Sequence, residues 1–300
     1  MAITIAGSGI VSANIADGTI VSADIANGTI VAADIADNQT LGIENFVPQG
    51  LICSNDSDAS HDVAISVGGV RDATNAVNMT LAAILTKRID AAWAVGDNNG
   101  GLDGTESSGG TPDANTLYYI WLIKRSDTGV VDALYSESAT GPTLPTNYDY
   151  KRLIGGVYTN GSANILSFIH SGNYFRYMGD AIVEVEDGTM SDEAVETLTF
   201  TAVPPLCLAH VYCRVSNATE TNVQSRVGLR TKGSADATGN NSQSWSFMQT
   251  GSDTGDGSGT QGFVLADSAK QVEYWTNENA GTAYVNVTVF GFTMLTRDNP

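Results

Sequence analysis

Isoleucine falls on every fifth position from Ile10 through Ile15, Ile20, Ile25 and Ile30 to Ile35, inside a ten-residue unit of the form G-T-I-V-x-A-D-I-A-[DN]. Such regularity constrains architecture before any local propensity does. A straight strand alternates faces with a period of two, so residues five apart would point to opposite sides in succession. To bring every Ile inward the chain must bend within each unit, and Asp17-Gly18 and Asn27-Gly28 are dipeptides that favour tight turns. So short an array cannot bury its own apolar stripe, because repeat arrays need several coils and caps. The expectation is a homo-oligomeric stem over residues 1–42 in which copies stack their Ile about a shared axis, a trimer foremost and a pentamer as the alternative. A flexible linker would instead show a Gly/Ser mixture.

The remaining sequence carries its charge in one direction. Over 300 residues, 14 Lys and Arg stand against 33 Asp and Glu, a formal net charge of −19. The excess runs through residues 1–42, 43–182 and 183–300 alike, so it belongs to the whole surface and not to an acidic tail. It repels phosphates and anionic lipids, which argues against nucleic acid or a lipid surface as partner. The N-terminus, MAITIAGSGIVSANIADG, lacks the basic and compact apolar regions of a secretory signal. No stretch of eighteen residues is predominantly apolar, so membrane insertion is not expected. Cys53, Cys207 and Cys213 form an odd set without CxxC spacing. The last two share parity with Ala209, Val211 and Val215 on one strand, where they read as buried free thiols packed as small hydrophobes.

Beyond the repeat, short apolar runs alternate with turn clusters. With 32 Gly and abundant Thr, Ser, Val, Ile and Asn, this favours many short strands over long helices. The run LYYIWLI from Leu117 to Ile123 is apolar throughout and predicts a central strand covered on both faces. Strands follow near Val130 to Tyr135, Leu153 to Tyr158 and Ile165 to Ile169. Residues 79–92 fit a short helix by periodicity, although their β-rich neighbours favour strand. After Gly188 the alternation is cleaner, and strands are predicted near Leu206 to Val215, Val223 to Thr231, Trp245 to Met248, Phe263 to Leu265, Val272 to Trp275 and Tyr284 to Leu295. In the last of these the apolar parity switches near Gly291, from Val285, Val287 and Val289 to Phe290, Phe292 and Met294, as a bulge would cause. The expected fold class is all-β: a repeat stem (1–42), a β-rich domain (43–182) and a C-terminal antiparallel β-sandwich or jelly roll (183–300).

Two stretches carry a resemblance. LTKRIDAAWAVGDNNGGLDGT, from Leu85 to Thr105, and YYIWLIKRSDTGVVDALYSESATGPTLPTNYDYKRLIGG, from Tyr118 to Gly156, are similar to a domain of phage and prophage virion proteins of the fibre and tail class. The GTIVxADIA repeat resembles the virion-proximal stems of such fibres, and its five-residue sub-period is similar to the pentapeptide-repeat pattern. The resemblance implies a homo-oligomeric fibre or spike, made in the host cytoplasm and located in a phage-like particle. It would attach by its N-terminus to capsid or tail proteins and present its C-terminal β domain to a host-surface glycan. It carries over no catalytic residues.

No catalytic pattern stands out on its own either. His61, His170 and His210 lack any two-His metal spacing, and there is no GxSxG, P-loop or dinucleotide fingerprint. Neither a metal nor a cofactor is expected. The acid pairs Asp97/Asp103, Asp192/Glu193 and Asp253/Asp256 do not meet the calcium-loop signature. A binding surface is more plausible on the C-terminal strands. Opposite the core parity of Cys207 to Val215 lie His210, Tyr212 and Arg214, and opposite Val227 and Leu229 lie Arg226 and Arg230. If those two strands pair as a hairpin, a basic patch with one Tyr and one His results, suited to an acidic glycan. Trp245, Tyr274 and Trp275 border Gly/Ser/Asn loops, where rings can stack on sugars. Tyr274 and Trp275 have opposite parity, so one of them belongs to the core. The expectation is a non-enzymatic carbohydrate-binding protein of the virion. A polysaccharide-depolymerising tailspike and a decoration protein without a receptor role are the alternatives.

Overall fold

Alternating and continuous apolar runs, punctuated by Gly, Asn and Asp, resolve into strands wherever a computed structural model describes the chain. The described residues are 49–104, 110–179, 182–189, 194–217, 225–234, 247–251, 257–277 and 283–295. They belong to one compact unit, Asn45–Pro300. The Ile repeat and its expected stem lie outside them, as do Trp245 and the acids at 192, 193, 253 and 256.

Among the described residues there are twenty strands and no helix. The first ten are β1 (Gln49–Gly50), β2 (Cys53–Asn55), β3 (Asp62–Ile65), β4 (Gly68–Arg71), β5 (Asn78–Leu81), β6 (Leu85–Ala92), β7 (Asn99–Leu102), β8 (Leu117–Arg125), β9 (Val131–Ser136) and β10 (Tyr148–Tyr158). They continue as β11 (Phe168–Ser171), β12 (Tyr174–Tyr177), β13 (Ile182–Thr189), β14 (Ala194–Thr199), β15 (Cys207–Asn217), β16 (Ser225–Thr231), β17 (Phe247–Gly251), β18 (Gly257–Leu265), β19 (Gln271–Asn277) and β20 (Ala283–Met294). The all-β expectation holds. Residues 79–92, which fitted helix or strand, are β5 and β6.

β1, β4 and β5 form a small sheet, and a seven-stranded sheet runs β10-β8-β9-β7-β6-β3-β2. In the larger one, β6–β7 and β7–β9 are parallel and the other pairs antiparallel. β8 sits between β10 and β9, and every residue from Leu117 to Ile123 is buried, as its unbroken apolar run requires. Trp121 is wholly enclosed, and its Nε1 donates to Ser138 O at 3.1 Å.

The third sheet runs β11-β12-β20-β15-β18, with β13 also paired to β20; the fourth runs β14-β19-β16-β17. β11 and β12 precede residue 182 in the chain and share a sheet with β13, β15, β18 and β20, which follow it. The boundary expected between 182 and 183 therefore runs through a hydrogen-bonded sheet. The inner face of β15, from Cys207 through Ala209, Val211 and Cys213 to Val215, is buried in one hydrophobic core with Val227 and Leu229 of β16 and Val285, Val287 and Val289 of β20. The third and fourth sheets thus share a core in the manner of a sandwich. The three cysteines are buried and form no disulfide, and burial raises the thiol pKa of Cys207 and Cys213, which makes those two inert packing residues.

The predicted bulge is present. Register shifts between His210 and Val211, where Gly291 pairs with the first and Val289 with the second, leaving Phe290 as the extra residue. Phe290 is half-buried while Val289 and Phe292 are buried, so it leaves the core parity to which the sequence pattern assigned it. Gly291 permits a close approach beside the bulge: a Cβ there would meet Phe175 O of β12 at 2.3 Å.

Candidate functional site: the outer face of the six-stranded sheet

β15 alternates strictly. Its inward residues are apolar and buried, and its outward ones are Leu208, His210, Tyr212 and Arg214. Cross-strand pairing decides what surrounds them. His210 is opposite Phe263 of β18 on one side and Gly291 of β20 on the other, and Gly291 is opposite Arg176 of β12. The result is a row of rings across the sheet. Tyr174 stacks on His210 with centroids 5.0 Å apart, Phe263 meets it edge-on at 4.9 Å, and Phe290 lies tilted at 5.9 Å. Arg176 caps the row with its guanidinium 4.9 Å from the centre of the Phe290 ring. Phe263 remains 56% exposed, a large apolar ring left facing solvent.

His210 is the centre of this cluster and is itself only 1% exposed. Its Nε2 lies 2.8 Å from Thr293 Oγ1, whereas its Nδ1 is buried without a hydrogen-bond partner among the described residues. Burial, with the neighbouring Arg176 charge adding to it, pulls the imidazole down to about 4, so the ring is neutral near pH 7. A neutral imidazole between aromatic rings acts here as one more flat ring.

Tyr212 and Arg214 extend the face. A Cβ on Gly259, a β18 residue, would strike the Tyr212 hydroxyl at 2.0 Å, so the phenol lies flat over that strand because the glycine leaves room for it. Arg214 is exposed and pairs in register with Asn286, whose Nδ2 donates to Asp187 at 3.2 Å.

The other expected site residues are elsewhere. The hairpin between the two arginine-bearing strands does not form: β15 pairs with β18 and β20, and β16 pairs with β17 and β19. Arg226 and Arg230 therefore sit on the fourth sheet, away from His210 in strand order. Arg230 is buried and donates from Nε to Glu273 Oε2 at 2.7 Å, so its charge is matched within the sheet. Of the two rings with opposite parity, Trp275 is wholly buried. Tyr274 packs against the core and donates its hydroxyl to Glu196. Neither is a loop-borne platform.

Sequence reasoning found His210, Tyr212 and Arg214 and missed Tyr174, Arg176, Phe263 and Phe290. The first two lie beyond a tight hairpin, Ser171 opposite Tyr174 around Gly172 and Asn173. A Gly-Asn turn followed by YFRY was the available signal for that hairpin, though not for its partner strand. Among the described residues no group of three or more His, Cys, Asp or Glu is placed to hold a metal ion. His170 is structural: its Nδ1 accepts from Cys53 N at 2.9 Å and its Nε2 donates to Gly172 O at 2.8 Å. Asp97 is bound up in a loop, accepting from Thr86 N at 2.7 Å, and the buried Asp103 accepts from Thr143 N at 2.6 Å. No family model matches this chain, and no curated protein is significantly similar to it.

Proposed function

We propose that this chain is a non-enzymatic fibre or spike protein of a phage-like particle, and that it contacts host-surface carbohydrate through the outer face of its six-stranded sheet. The observation that carries the binding part is the ring row: Tyr174, His210, Phe263 and Phe290 lie side by side on one sheet face, with Phe263 open to solvent. Sugar rings present C–H faces that stack on such platforms, and Arg176 and Arg214 supply donors for hydroxyls or a carboxylate. Two arginines on one face of a chain with net charge −19 favour an acidic glycan over a neutral one. The particle assignment is supported by the resemblance of the Ile repeat and of the stretches 85–105 and 118–156 to fibre-class proteins.

Glycan-array binding of the full chain tests the reading. Retention of acidic glycans by the wild-type chain, lost in Phe263→Ala and in Tyr174→Ala, is the expected result. Equal retention by both variants would remove the face from the argument. Incubation with host polysaccharide should release no reducing ends, and sustained release would put a depolymerase in its place.

A further inference from the structure

Away from the ring row, a cleft of about 320 Å³ opens where the seven-stranded sheet meets the segment after β14. Its volume falls at the small end of the ~300–1,000 Å³ range of small-molecule sites. One wall is the start of β8, with Leu117 and Tyr119, and the other is Thr199, Phe200 and Thr201. Phe200 N donates to Lys270 O at 2.9 Å, which fastens the turn before β19 to that second wall. Asn115 and Thr116 join the first wall, and Glu137, just after β9, and Lys270 add one charge of each sign.

Two side chains in this lining make no hydrogen bond or close ion pair among the described residues. Tyr119 is 3% exposed as a residue, but its hydroxyl, which makes no hydrogen bond among the described residues, is not one of the enclosed polar atoms and reaches the cleft. Burial drives its pKa far up, so it stays a neutral donor and acceptor. The Lys270 ammonium makes no close ion pair among the described residues; it acts only at longer range on Glu184, the carboxylate bonded to Thr201. A hydroxyl that faces a cleft with its donor and its acceptor capacity both unused by the protein can bond a ligand there. The apolar patches of Leu117, Phe200 and the Tyr119 ring alternate with hydroxyls of Thr199 and Thr201, whose own bonds leave lone pairs free.

We infer that this cleft is a second, separate binding site, for a single uncharged sugar ring, with the Tyr119 hydroxyl, Glu137 and Lys270 bonding its hydroxyls and Leu117 and Phe200 meeting its C–H face. Balanced charge in the lining selects a neutral polyol, in contrast to the arginine-flanked sheet face. The inference does not rest on the ring row.

Saturation-transfer NMR on the full chain, with D-glucose, D-galactose, D-mannose and D-glucuronate as probes, tests it. At least one neutral hexose should show saturation transfer, with glucuronate weaker. Tyr119→Phe keeps the ring and its packing and should weaken that hexose at least tenfold, with circular dichroism unchanged. Lys270→Ala should weaken it several-fold, and Phe263→Ala should leave it unaltered. No transfer to any neutral hexose, glucuronate binding more tightly than the hexoses, or wild-type affinity in Tyr119→Phe would each overturn the inference. Loss in Phe263→Ala alone would overturn it too, by assigning the binding to the sheet face.

Discussion

β8 and β15 are both central strands, and they put their rings to opposite uses. In β8 Tyr118 and Trp121 are wholly enclosed between covered neighbours, and Tyr119 alone of its three rings reaches a cleft. In β15 the inward face is small and aliphatic or thiol, while the outward face carries His210 and Tyr212 within a cluster of rings from β12, β18 and β20. Rings inside a doubly covered strand serve stability. Rings on the solvent side of a half-covered strand have a core-facing partner set already complete beneath them, and so become candidates for recognition. The two strands should therefore respond differently to substitution, stability falling in one and binding in the other.

The largest effect is expected in β8. Trp121→Ala deletes an enclosed indole and strips Ser138 O of its donor, and should cost about 3–5 kcal/mol in urea unfolding. Next comes the buried ion pair of Lys87 with Asp132, 3.1 Å apart and each 1% exposed, which links β6 to β9. Lys87 Nζ also donates to Ala94 O at 2.7 Å, and Asp132 accepts from Gly96 N and Ala133 N, both at 2.7 Å. Lys87→Met leaves the carboxylate buried without its cation but with two backbone donors, so a loss of about 3 kcal/mol is expected, the low end for a broken buried pair. Pairing it with Asp132→Leu should restore part of that loss. A double variant as unstable as the single one would show that the backbone bonds, and not the charge, hold the 94–96 loop.

How much of this contrast was legible in the sequence depends on range. LYYIWLI announces its double burial because every position is apolar, and the alternation of Cys207 to Val215 announces a half-covered strand. Both are local patterns, and both determine burial directly. Strand partnership is not local. Val227 and Leu229 have the same parity signal as β15, which made a β15–β16 hairpin reasonable, yet those residues face β15 across the shared core instead of pairing beside it. Facing and neighbouring strands leave the same alternation in a sequence. Hence half of the candidate site, His210, Tyr212 and Arg214, could be read from one strand, and the half brought by β12, β18 and the bulge of β20 could not. The bulge itself was visible as a parity switch, but which residue it ejected depended on the pairing of His210 with Gly291.

His210 gives the comparison a pH axis. Its folded-state value of about 4 lies below the ordinary 6.5, so between those values the unfolded chain binds a proton that the folded chain excludes. Stability therefore falls as pH drops from about 7 towards 4, with no further loss from this group below that, an effect on the order of 3 kcal/mol. His210→Gln keeps a polar group near Thr293 and cannot titrate. Wild-type stability minus variant stability should decline from pH 7 to 4.5, and a flat difference would mean that the imidazole is protonated within the ring row.

The smallest expected change in stability is the one that decides what the face is for. Phe263 is exposed, lies on β18 at the margin of the sheet, and meets the His210 ring edge-on. Phe263→Ala removes a ring more than half of which stays exposed, so unfolding should shift by no more than about 1 kcal/mol. If the ring row binds sugar, the same substitution should abolish retention on acidic glycans, because the lost platform is the part still open to a ligand. A Phe263→Ala chain that unfolds several kcal/mol earlier would instead place Phe263 alongside Trp121 as a packing residue, and the difference drawn between the two strands would disappear.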